Sequence, residues 1–542
     1  MLLTRSSCGP ILSALLSLVA PAVAQEAKLP PLPVDRAAGA LGIRPERVRE
    51  FLTTLASPEF EGRGTGQEGF RKAAEYVRAH FEKLGLEGGA PDGSFFQAVP
   101  WTQSVARPKA PGLAVRRGET ILWSLDVEQG LRGYASTPSG VDLPLALVVT
   151  SDPEGGDLEQ LELKDHAVIV VLVRTGEPES DARRRARAGL AARSRIARAA
   201  QRAGGRFLAL ADDAAWATAG TFEPVSRPGR EASGPAGVAR GNQPATGVLR
   251  TEHGAALLAA LGDATPLAEL VLPRKIALDG VFAHLAIEVE ESQAPAWNVL
   301  AILRGSDETR KDEFVGVGCH LDHLGKRGGI VHPGADDDGS GSAGLMAIAE
   351  AFAKNPTRPA RSILFMAFCG EELGLIGSGY FARNPTIPLE SMVAELQIDM
   401  IGRNEEGERG EEEASDNLDC LHLIGSQKLS DDLHQSCLRL NERAGFALEW
   451  DEEDVFYRSD HWNFARQGVP IAFFFTGFHP QYHQPTDTVD LIDFGKLARV
   501  STYVYDLAYE LAQQEQRPLV DAVKWQELSG KSREAPAAPV RN

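Results

Sequence analysis

Apolar residues near the start of the chain recur at helical spacing. Val48, Phe51 and Leu52 follow this spacing, and it returns between Ala73 and Leu84. Residues three and four positions apart share one face of a helix. The segment Arg44–Leu86 is therefore predicted to form two helices, each with one buried face.

The pattern changes between about Gly112 and Ala268. Short apolar runs such as Leu143–Thr150 and Ala167–Val173 alternate there with turns rich in Gly, Pro and Asp, and Ala182–Ala203 is predicted to be a helix. Short apolar runs bounded by turn residues are typical of strands. We expect residues 112–268 to form a smaller, β-rich α+β domain inserted into the main one.

Apolar runs and helical stretches alternate from about Lys275 onward. This order is typical of an α/β fold, in which helices cover a central sheet. The main domain is expected to comprise residues 34–111 and 269–516, with a partly disordered tail over 517–542, and the acidic segment Glu405–Asp416 is expected to be a solvated loop. The predicted strands are Phe314–Gly318, Ile363–Cys369, Leu396–Ile401 and Ile471–Phe475, and the predicted helices lie near Ser342–Lys354 and Phe494–Gln514.

The first 24 residues have the pattern of a secretory signal. Arg5 precedes the apolar run Ile11–Ala20, and the small residues Ala22–Ala24 follow it. The run is shorter than the roughly 20 apolar residues that a spanning helix needs, and the small residues match a cleavage site. A membrane anchor is the alternative. We expect cleavage after residue 24, export to the periplasm or beyond, and no membrane span in the cleaved protein.

The charge of the chain excludes one class of function. Its 542 residues contain 56 Lys and Arg against 75 Asp and Glu, a formal net charge of −19. This charge repels nucleic-acid phosphates, so a general nucleic-acid binder is excluded.

The cysteines are too few for a disulfide scaffold. The chain has 5 of them, and Cys8 lies in the predicted signal. Whether Cys420 and Cys437 pair is left open.

His320 follows the first of these predicted strands, and Asp322 comes two residues later. A carboxylate so placed can orient a metal-binding histidine. Alone, however, a histidine near a strand end is more often a structural hydrogen-bonding group.

Three adjacent carboxylates, Asp336, Asp337 and Asp338, then open the next helix. Capping that helix would use one acid, and three in a row concentrate negative charge that a bound cation would relieve. We therefore favour a metal here.

Further acids follow the later strands. Glu371 and Glu372 come just after the second predicted strand. One of them can bind a metal while its neighbour takes a proton from water, as metal-assisted hydrolysis requires. Asp399 lies within the third apolar run, where an unpaired carboxylate would be costly to bury. His483 follows the last strand after a turn.

These candidates lie near the ends of separate strands, where open α/β sheets place their sites. Histidines and carboxylates without thiolates fit Zn²⁺ in a catalytic role, and five ligands can serve two ions if one carboxylate bridges them. The sequence therefore predicts a two-zinc hydrolase. The candidate ligands are His320, one of the three acids Asp336, Asp337 and Asp338, one of Glu371 and Glu372, Asp399 and His483.

The motifs, in this order, resemble those of zinc aminopeptidases with co-catalytic metals. That family includes bacterial leucyl aminopeptidases and, more distantly, glutamate carboxypeptidases and glutaminyl cyclases. The resemblance covers nearly all of the chain after the signal. It implies a mixed central sheet flanked by helices, as in zinc exopeptidases, and region 112–268 is similar to a protease-associated domain. The matching segments are Leu55–Arg63, Asn298–Val299, His320–Asp322, Gly334–Gly341, Glu371–Glu372, Asp399–Met400, Ser459–His461 and Tyr482–His483.

The resemblance also implies a role for each ligand. Asp337 would bridge both zinc ions, with His320 and Asp399 completing one site and Glu372 and His483 completing the other.

Catalytic and supporting roles are implied in the same way. Glu371 would be the general base that activates water and later protonates the leaving amine. A tyrosine near the oxyanion is also implied, and Tyr482 and Tyr457 are both candidates, with Tyr482 ranked slightly higher. The supporting residues would be Asp322, which would orient His320, together with Asp336, Asp338 and Asp460.

We therefore expect an aminopeptidase acting on peptides or proteins. A dipeptide carboxypeptidase would need arginines for the substrate carboxylate, and Arg403 and Arg458 are candidates. A glutaminyl cyclase would not be expected to carry the inserted domain. A secreted peptide-binding protein could keep this fold without catalysis, although the five ligands and Glu371 argue against that. Oligomeric state and side-chain preference are left open.

Overall fold

The part of the chain that the structure, a computed structural model, describes excludes the predicted signal. Within it, no helix combines the length and apolarity that crossing a membrane requires. The described residues are 38–126, 130–132, 141–174, 182–217, 225–233, 245–327, 329–407, 414–449 and 455–531.

The strands and helices are numbered here in chain order. The strands are β1 Glu87–Gly88, β2 Phe96–Ala98, β3 Trp101–Arg117, β4 Thr120–Leu125, β5 Val141–Thr150, β6 Ala167–Leu172, β7 Phe207–Ala211, β8 Val225–Pro228, β9 Ala245–Leu249, β10 Arg274–Gln293, β11 Trp297–Leu303, β12 Phe314–His320, β13 Gly325–Arg327, β14 Ile330–His332, β15 Ser362–Phe368, β16 Met392–Ile398, β17 Cys420–Ile424, β18 Ala447–Glu449 and β19 Ile471–Phe475. The helices are α1 Pro45–Leu55, α2 Glu68–Lys83, α3 Gly156–Glu159, α4 Ala182–Arg202, α5 Asp213–Trp216, α6 Arg230–Ser233, α7 Thr251–Ala260, α8 Gly341–Lys354, α9 Ile376–Arg383, α10 Ser426–Leu429, α11 Asp431–Ala444, α12 His461–Ala465, α13 Phe494–Gln513 and α14 Ala522–Lys531.

A mixed sheet forms the centre of the protein. Its order among the described strands is β1-β11-β15-β12-β16-β19-β17-β18, and β2 also pairs with β11. The four central strands β15, β12, β16 and β19 are parallel, whereas β11 and β17 run antiparallel to their central neighbours. The predicted α/β fold with a mixed central sheet is confirmed. Because parallel strands end at the same edge, the residues that follow these four strands are brought together.

Strand β15 shows how the sheet is buried on both faces. Ile363 and Phe365 join one apolar cluster with residues of α1, α2, α8 and α13. Leu364 and Met366 point the other way and join a second cluster that includes Phe381 of α9 and Phe464 of α12. Successive strand residues alternate between faces, so a strand covered on both sides is apolar throughout. The helices predicted from the early and late parts of the sequence, α1, α2 and α13, form part of the layer that packs on Ile363 and Phe365.

A second sheet has the order β4-β3-β10-β5-β6-β7-β9, with β8 paired to β3. Strands β5, β6, β7 and β9 are parallel, while β3, β4 and β10 pair in antiparallel fashion. Its strands run from Trp101 to Gln293 and so extend beyond residues 112–268 on both sides. The boundaries of an inserted domain, and its likeness to a protease-associated domain, stay predictions.

The four cysteines among the described residues, including Cys420 and Cys437, are free and buried.

Candidate metal centre

The five predicted ligands lie together at the carboxyl edge of the central strands. His320 is the last residue of β12, Asp399 follows β16, and Glu372 lies in a short turn after β15. Asp337 lies in the turn Ala335–Ser340 that leads into α8, and the peptide bond after it is cis. His483 lies in the loop between β19 and α13. The sheet thus gathers residues that are distant in sequence.

His320, Asp337 and Asp399 form the first ligand group. Nε2 of His320 lies 3.3 Å from Oδ1 of Asp337 and 3.3 Å from Oδ1 of Asp399. All three side chains are buried. Nδ1 of His320 donates a hydrogen bond to the main-chain carbonyl of Asp322 at 3.0 Å. Since a carbonyl can only accept, Nε2 is the atom left to bind a cation.

The second ligand group shares Asp337 with the first. Nε2 of His483 lies 3.1 Å from Oδ2 of Asp337 and 3.1 Å from Oε2 of Glu372. Asp337 therefore presents Oδ1 to His320 and Oδ2 to His483. Burial alone would raise the pKa of Asp337, but the surrounding histidines hold it well below its usual value. This is the placement that a carboxylate needs to bridge two cations.

His323 also belongs to the second group, although the sequence analysis missed it. Its Nδ1 lies 2.6 Å from Oε1 of Glu372 and 3.5 Å from Oδ2 of Asp337. The ring is buried, and neither of its nitrogens makes a hydrogen bond of regular geometry. The signal that could have found it was present, because His323 directly follows Asp322 at the end of the same strand.

Asp338 ties three backbone segments together beneath the ligands. Its Oδ2 accepts a hydrogen bond from the main-chain N–H of His320 at 3.2 Å. Its Oδ1 accepts from the N–H of Gly341 at 2.8 Å and from that of Met400 at 3.2 Å. One buried carboxylate thus fixes the end of β12, the start of α8 and the residue after Asp399.

Asp336 and Asp487 hold the same turn from another side. The Asp487 carboxylate accepts hydrogen bonds from the N–H groups of Asp336 at 3.0 Å and Asp337 at 3.2 Å. Oδ1 of Asp336 accepts from the N–H of Gly402 at 2.7 Å, and its Oδ2 lies 3.3 Å from Nε2 of His479. Burial raises the pKa of Asp487 to about 6. Asp487 and His479 were not predicted, although both flank His483 in the sequence.

Arg63 anchors the approach to this turn. Its buried guanidinium donates to the main-chain carbonyls of Leu321 at 3.0 Å and Gly334 at 2.7 Å. It also donates to the carbonyls of Pro333 and Leu55, each at 2.9 Å. One side chain from the start of the chain therefore satisfies four carbonyls around the ligand turns.

Asp322 acts on His320 differently from what was expected. Its main-chain carbonyl accepts the Nδ1–H bond, whereas its carboxylate oxygen lies 3.9 Å from that nitrogen. The carboxylate instead accepts the N–H of Glu371 at 3.2 Å. Burial raises the pKa of Asp322 to about 6. Asp322 thus links the strand end that carries His320 to the turn that carries Glu371.

Glu371 lies outside both ligand groups. Burial raises the pKa of its carboxyl well above the usual value, and Asp399, Asp460 and Glu372 add to the effect while His320 opposes it. Burial likewise raises the pKa of Asp460 to about 7, and Asp460 accepts a hydrogen bond from the hydroxyl of Ser378. A buried carboxyl with a raised pKa beside two ligand groups has the properties of a general base.

The two candidate tyrosines are placed very differently. Tyr482 is partly buried and stacks on His483, with ring centroids 3.8 Å apart. Its hydroxyl accepts a hydrogen bond from Arg458 at 3.2 Å, and burial raises the pKa of its phenol. Tyr457 is 48% exposed, and its ring packs on Trp462. The geometry therefore favours Tyr482 as the tyrosine beside the ligands.

Arg403 and Arg458 were the candidates for binding a substrate carboxylate. Arg403 is buried, donates to Oε1 of Gln481 at 3.1 Å, and leaves its second terminal nitrogen buried without a partner. Arg458 reaches Tyr482 and lies over the Phe478 ring, with its guanidinium carbon 4.8 Å from the ring centroid. Of these two arginines, Arg458 is therefore the one that contacts Tyr482, the residue stacked on His483.

The two ligand groups fit divalent cations. Nitrogen and oxygen ligands about 2.0–2.1 Å from a tetrahedral ion lie about 3.3–3.4 Å from one another. The nitrogen–oxygen separations of 3.1 and 3.3 Å around Asp337 approach this value. Oδ2 of Asp337 and Oε1 of Glu372 are buried and make no hydrogen bond of regular geometry. A cation in each group would satisfy these oxygens.

Comparison with known proteins agrees with this geometry. Residues 298–508 match the profile of Peptidase family M28. A probable leucine aminopeptidase from Trichophyton verrucosum is 29% identical over 254 residues, which cover 45% of this chain and 66% of that protein. The aminopeptidase YwaD of Bacillus subtilis is 28% identical over 229 residues, which cover 41% of this chain and 46% of that protein. The chain therefore spans just under two thirds of the first relative and about half of the second.

A solved structure, of a zinc aminopeptidase from Bacillus subtilis, has the same fold. Its TM-score is 0.50 at 18% identity, and the match covers 88% of this chain and 97% of that one. The sheet, the ligand cluster and the family match define a metallopeptidase-type α/β protein. Residues 298–508 thus carry the match to Peptidase family M28, and the chain's motifs resemble those of zinc aminopeptidases.

Proposed function

We propose that this protein is a two-zinc aminopeptidase that removes N-terminal residues from peptides. The observation that carries the proposal is the position of Asp337, which presents one carboxylate oxygen to each of two ligand groups. His320 and Asp399 complete one zinc site, and Glu372 and His483 complete the other. The family's aminopeptidases support the choice of reaction.

When bound, the zinc ions would polarise the scissile carbonyl and lower the pKa of the attacking water. Glu371 accepts the proton of that water and delivers it to the amine that leaves. Burial raises the pKa of this carboxyl above its usual value, and a more basic carboxylate takes up a proton from water more readily. The hydrogen bond from the main-chain N–H of Glu371 to the Asp322 carboxylate holds the Glu371 turn close to His320.

Tyr482 donates a hydrogen bond to the oxyanion that develops on the scissile carbonyl. Because the pKa of its phenol is raised, the hydroxyl keeps its proton at neutral pH. Arg458 donates a hydrogen bond to the hydroxyl oxygen of Tyr482 and so holds the phenol in place. A preorganised donor of this kind stabilises the transition state more than the ground state.

The position of Arg458 supports a second candidate, a dipeptide carboxypeptidase. A guanidinium beside Tyr482 could bind the terminal carboxylate of a short substrate. Peptides with a free or acetylated N-terminus, and with a free or amidated C-terminus, separate the two activities. An aminopeptidase requires the free amine and tolerates the amide, whereas a carboxypeptidase requires the free carboxylate.

Metal content tests the proposed ion count. Zinc per chain should be about two lower in Asp337→Ala than in the unaltered protein, and the variant should be inactive. Taking the difference excludes zinc bound elsewhere. The fold of the variant is checked by circular dichroism. A folded Asp337→Ala variant that keeps all its zinc would contradict the bridging role.

We also propose export through the signal predicted at residues 1–24. N-terminal sequencing of protein recovered from outside the cytoplasm should then begin near Gln25.

A further inference from the structure

A second cluster of metal-binding side chains lies at the edge of the central sheet. Cys420 and His422 are two residues apart on β17, so they share one face of the strand. Glu449 on β18 is the register partner of His422. Glu405 lies in the segment after β16 and reaches the same ring. One ligand atom from each of the four residues lies within 4.8 Å of the others.

The contacts converge on the His422 ring. Its Nε2 lies 3.2 Å from Oε2 of Glu405 and 4.0 Å from Sγ of Cys420. Its Nδ1 lies 3.7 Å from Oε2 of Glu449. His422 is 1% exposed and Cys420 is 4% exposed. Glu405 lies in the segment expected to be a solvated acidic loop, yet only 21% of its side chain is exposed.

A simple ion pair accounts for only part of this arrangement. A protonated His422 would pair with Glu405, and this explains the 3.2 Å contact. It leaves the buried Nδ1 without a hydrogen-bond partner, although buried polar atoms normally have one. It also gives no reason for a thiol and a carboxylate to approach the same ring nitrogen. A cation between these three groups would explain the second feature, the approach of a thiol and a carboxylate to Nε2.

We propose that Cys420, His422 and Glu405 bind a structural zinc ion, separate from the catalytic centre. Ligands about 2.0–2.3 Å from a tetrahedral zinc lie about 3.3–3.8 Å apart. The separations of 3.2 and 4.0 Å around Nε2 need only small side-chain rotations to reach this range. Glu449 accepts the Nδ1–H hydrogen bond once its half-exposed side chain turns inward, as carboxylates do behind metal-bound histidines.

Proton and charge balance are compatible with this site. When zinc binds a protonated His422 ring and a Cys420 thiol, one proton leaves each of them for solvent. The two protons that leave carry the same charge as the divalent ion that enters, so the net charge of the cluster is unchanged. Zinc can therefore bind without adding charge to a buried region.

The ion would fix the segment that follows a catalytic ligand. Glu405 lies a short distance after Asp399, and the neighbouring N–H of Glu406 donates to the carbonyl of Phe478 at 2.9 Å. Zinc bound between Glu405 and β17 would hold this segment against the edge of the sheet. Its loss should lower thermal stability without removing a group from the catalytic centre.

Cobalt substitution tests the site directly. Neither catalytic ligand group contains a thiolate, so a thiolate-to-cobalt charge-transfer band in the near ultraviolet reports a cysteine ligand. We expect the band in the cobalt-loaded full-length protein and its loss in Cys420→Ser. Cys437→Ser is the matched control, because Cys437 is also buried and free but lies outside the cluster, and it should keep the band.

Zinc content gives a second measurement. Cys420→Ser should bind about one zinc fewer per chain than Cys437→Ser and keep its peptidase activity. Absence of the band from the unaltered protein would overturn the proposal, and so would a band that persists in Cys420→Ser. Because the band does not depend on the catalytic ions, its failure differs from failure of the proposed peptidase function.

Discussion

Ser459 donates a hydrogen bond from its hydroxyl to Oδ2 of Asp399 at 2.7 Å. The other carboxylate oxygen, Oδ1, lies 3.3 Å from Nε2 of His320 in the first ligand group. Gln397 donates in turn to the Ser459 hydroxyl at 3.3 Å. This chain of contacts fixes which oxygen of Asp399 faces the first ligand group.

Replacing Ser459 by Ala should weaken metal binding in the first group. Asp399 would lose the donor that orients it, and such changes behind a ligand typically cost about 10–100-fold in metal affinity. Competition with a chelator measures this affinity. Ser501→Ala is the control, because that buried hydroxyl bonds only the helix carbonyl of Leu497. Equal effects of the two variants would show that Ser459 has no special role.

Replacing Glu371 by Gln should abolish turnover but keep the metal. The amide cannot take the proton of the attacking water, and general-base catalysis contributes roughly 10²–10⁴-fold to rate. Steady-state kinetics and metal analysis on the same preparation measure both properties. Glu372→Gln should instead lose metal from the second group. Turnover within a few-fold of normal in Glu371→Gln would remove this residue from the mechanism.

Replacing His323 by Asn should loosen the second ion. His323 lies 2.6 Å from Glu372, so its removal leaves that ligand less firmly placed. We expect the second zinc to dissociate at about 10-fold lower chelator concentration. His332→Asn is the control, because His332 lies outside both ligand groups. An unchanged chelator midpoint in His323→Asn would show that the ring only fills space.

His461 should make the protein sensitive to acid. Burial lowers its pKa to about 3, because the ring lies between Phe456 and Phe473 and donates only to the carbonyl of Phe456. The folded pKa is below the unfolded value of about 6.5, so this contribution to stability is complete above pH 6.5 and falls as the pH drops toward 3. The loss amounts to about 1.4 kcal/mol per pH unit in that window.

Urea unfolding at pH 6 and pH 4 measures this effect. The free energy of unfolding of His461→Gln, which can keep the hydrogen bond to Phe456, should fall less between the two pH values. His253→Gln, a change at a partly exposed residue, should leave the difference unaltered. Equal pH dependence of the unaltered protein and His461→Gln would contradict the prediction.

The sequence predicted the central sheet and the five gathered ligands because both depend on local patterns. His320, Glu372, Asp399 and His483 follow apolar runs, and parallel strands bring such positions to one edge, while Asp337 was found from the run of three acids that opens a helix. His323 was missed although it stands beside Asp322 in the sequence, whereas Asp487 escaped notice because its role depends on how its loop folds back onto the Asp336 turn, which spacing does not encode. Asp322 was expected to orient His320 through its carboxylate, but its main-chain carbonyl makes that contact. Side-chain identity cannot reveal a backbone contact.

Glu405 shows the same limit for surface segments. Its acidic surroundings in sequence predicted a solvated loop, and residues 408–413 of that loop lie outside the described part of the chain. Only tertiary pairing of β17 with β18 and β19 brings His422 to the place where Glu405 meets it. The expectation of a solvated loop therefore failed for Glu405, which contacts the sheet.

The four carbonyls held by Arg63 set a lower bound on the smallest active piece of this protein. A fragment limited to the family-matched residues 298–508 would contain every proposed ligand but would lack the guanidinium that joins Leu321 to Pro333 and Gly334. Ribosomal synthesis supplies Arg63 long before those partners, so these hydrogen bonds can form only once residues 321–334 have been made and have folded back against residue 63.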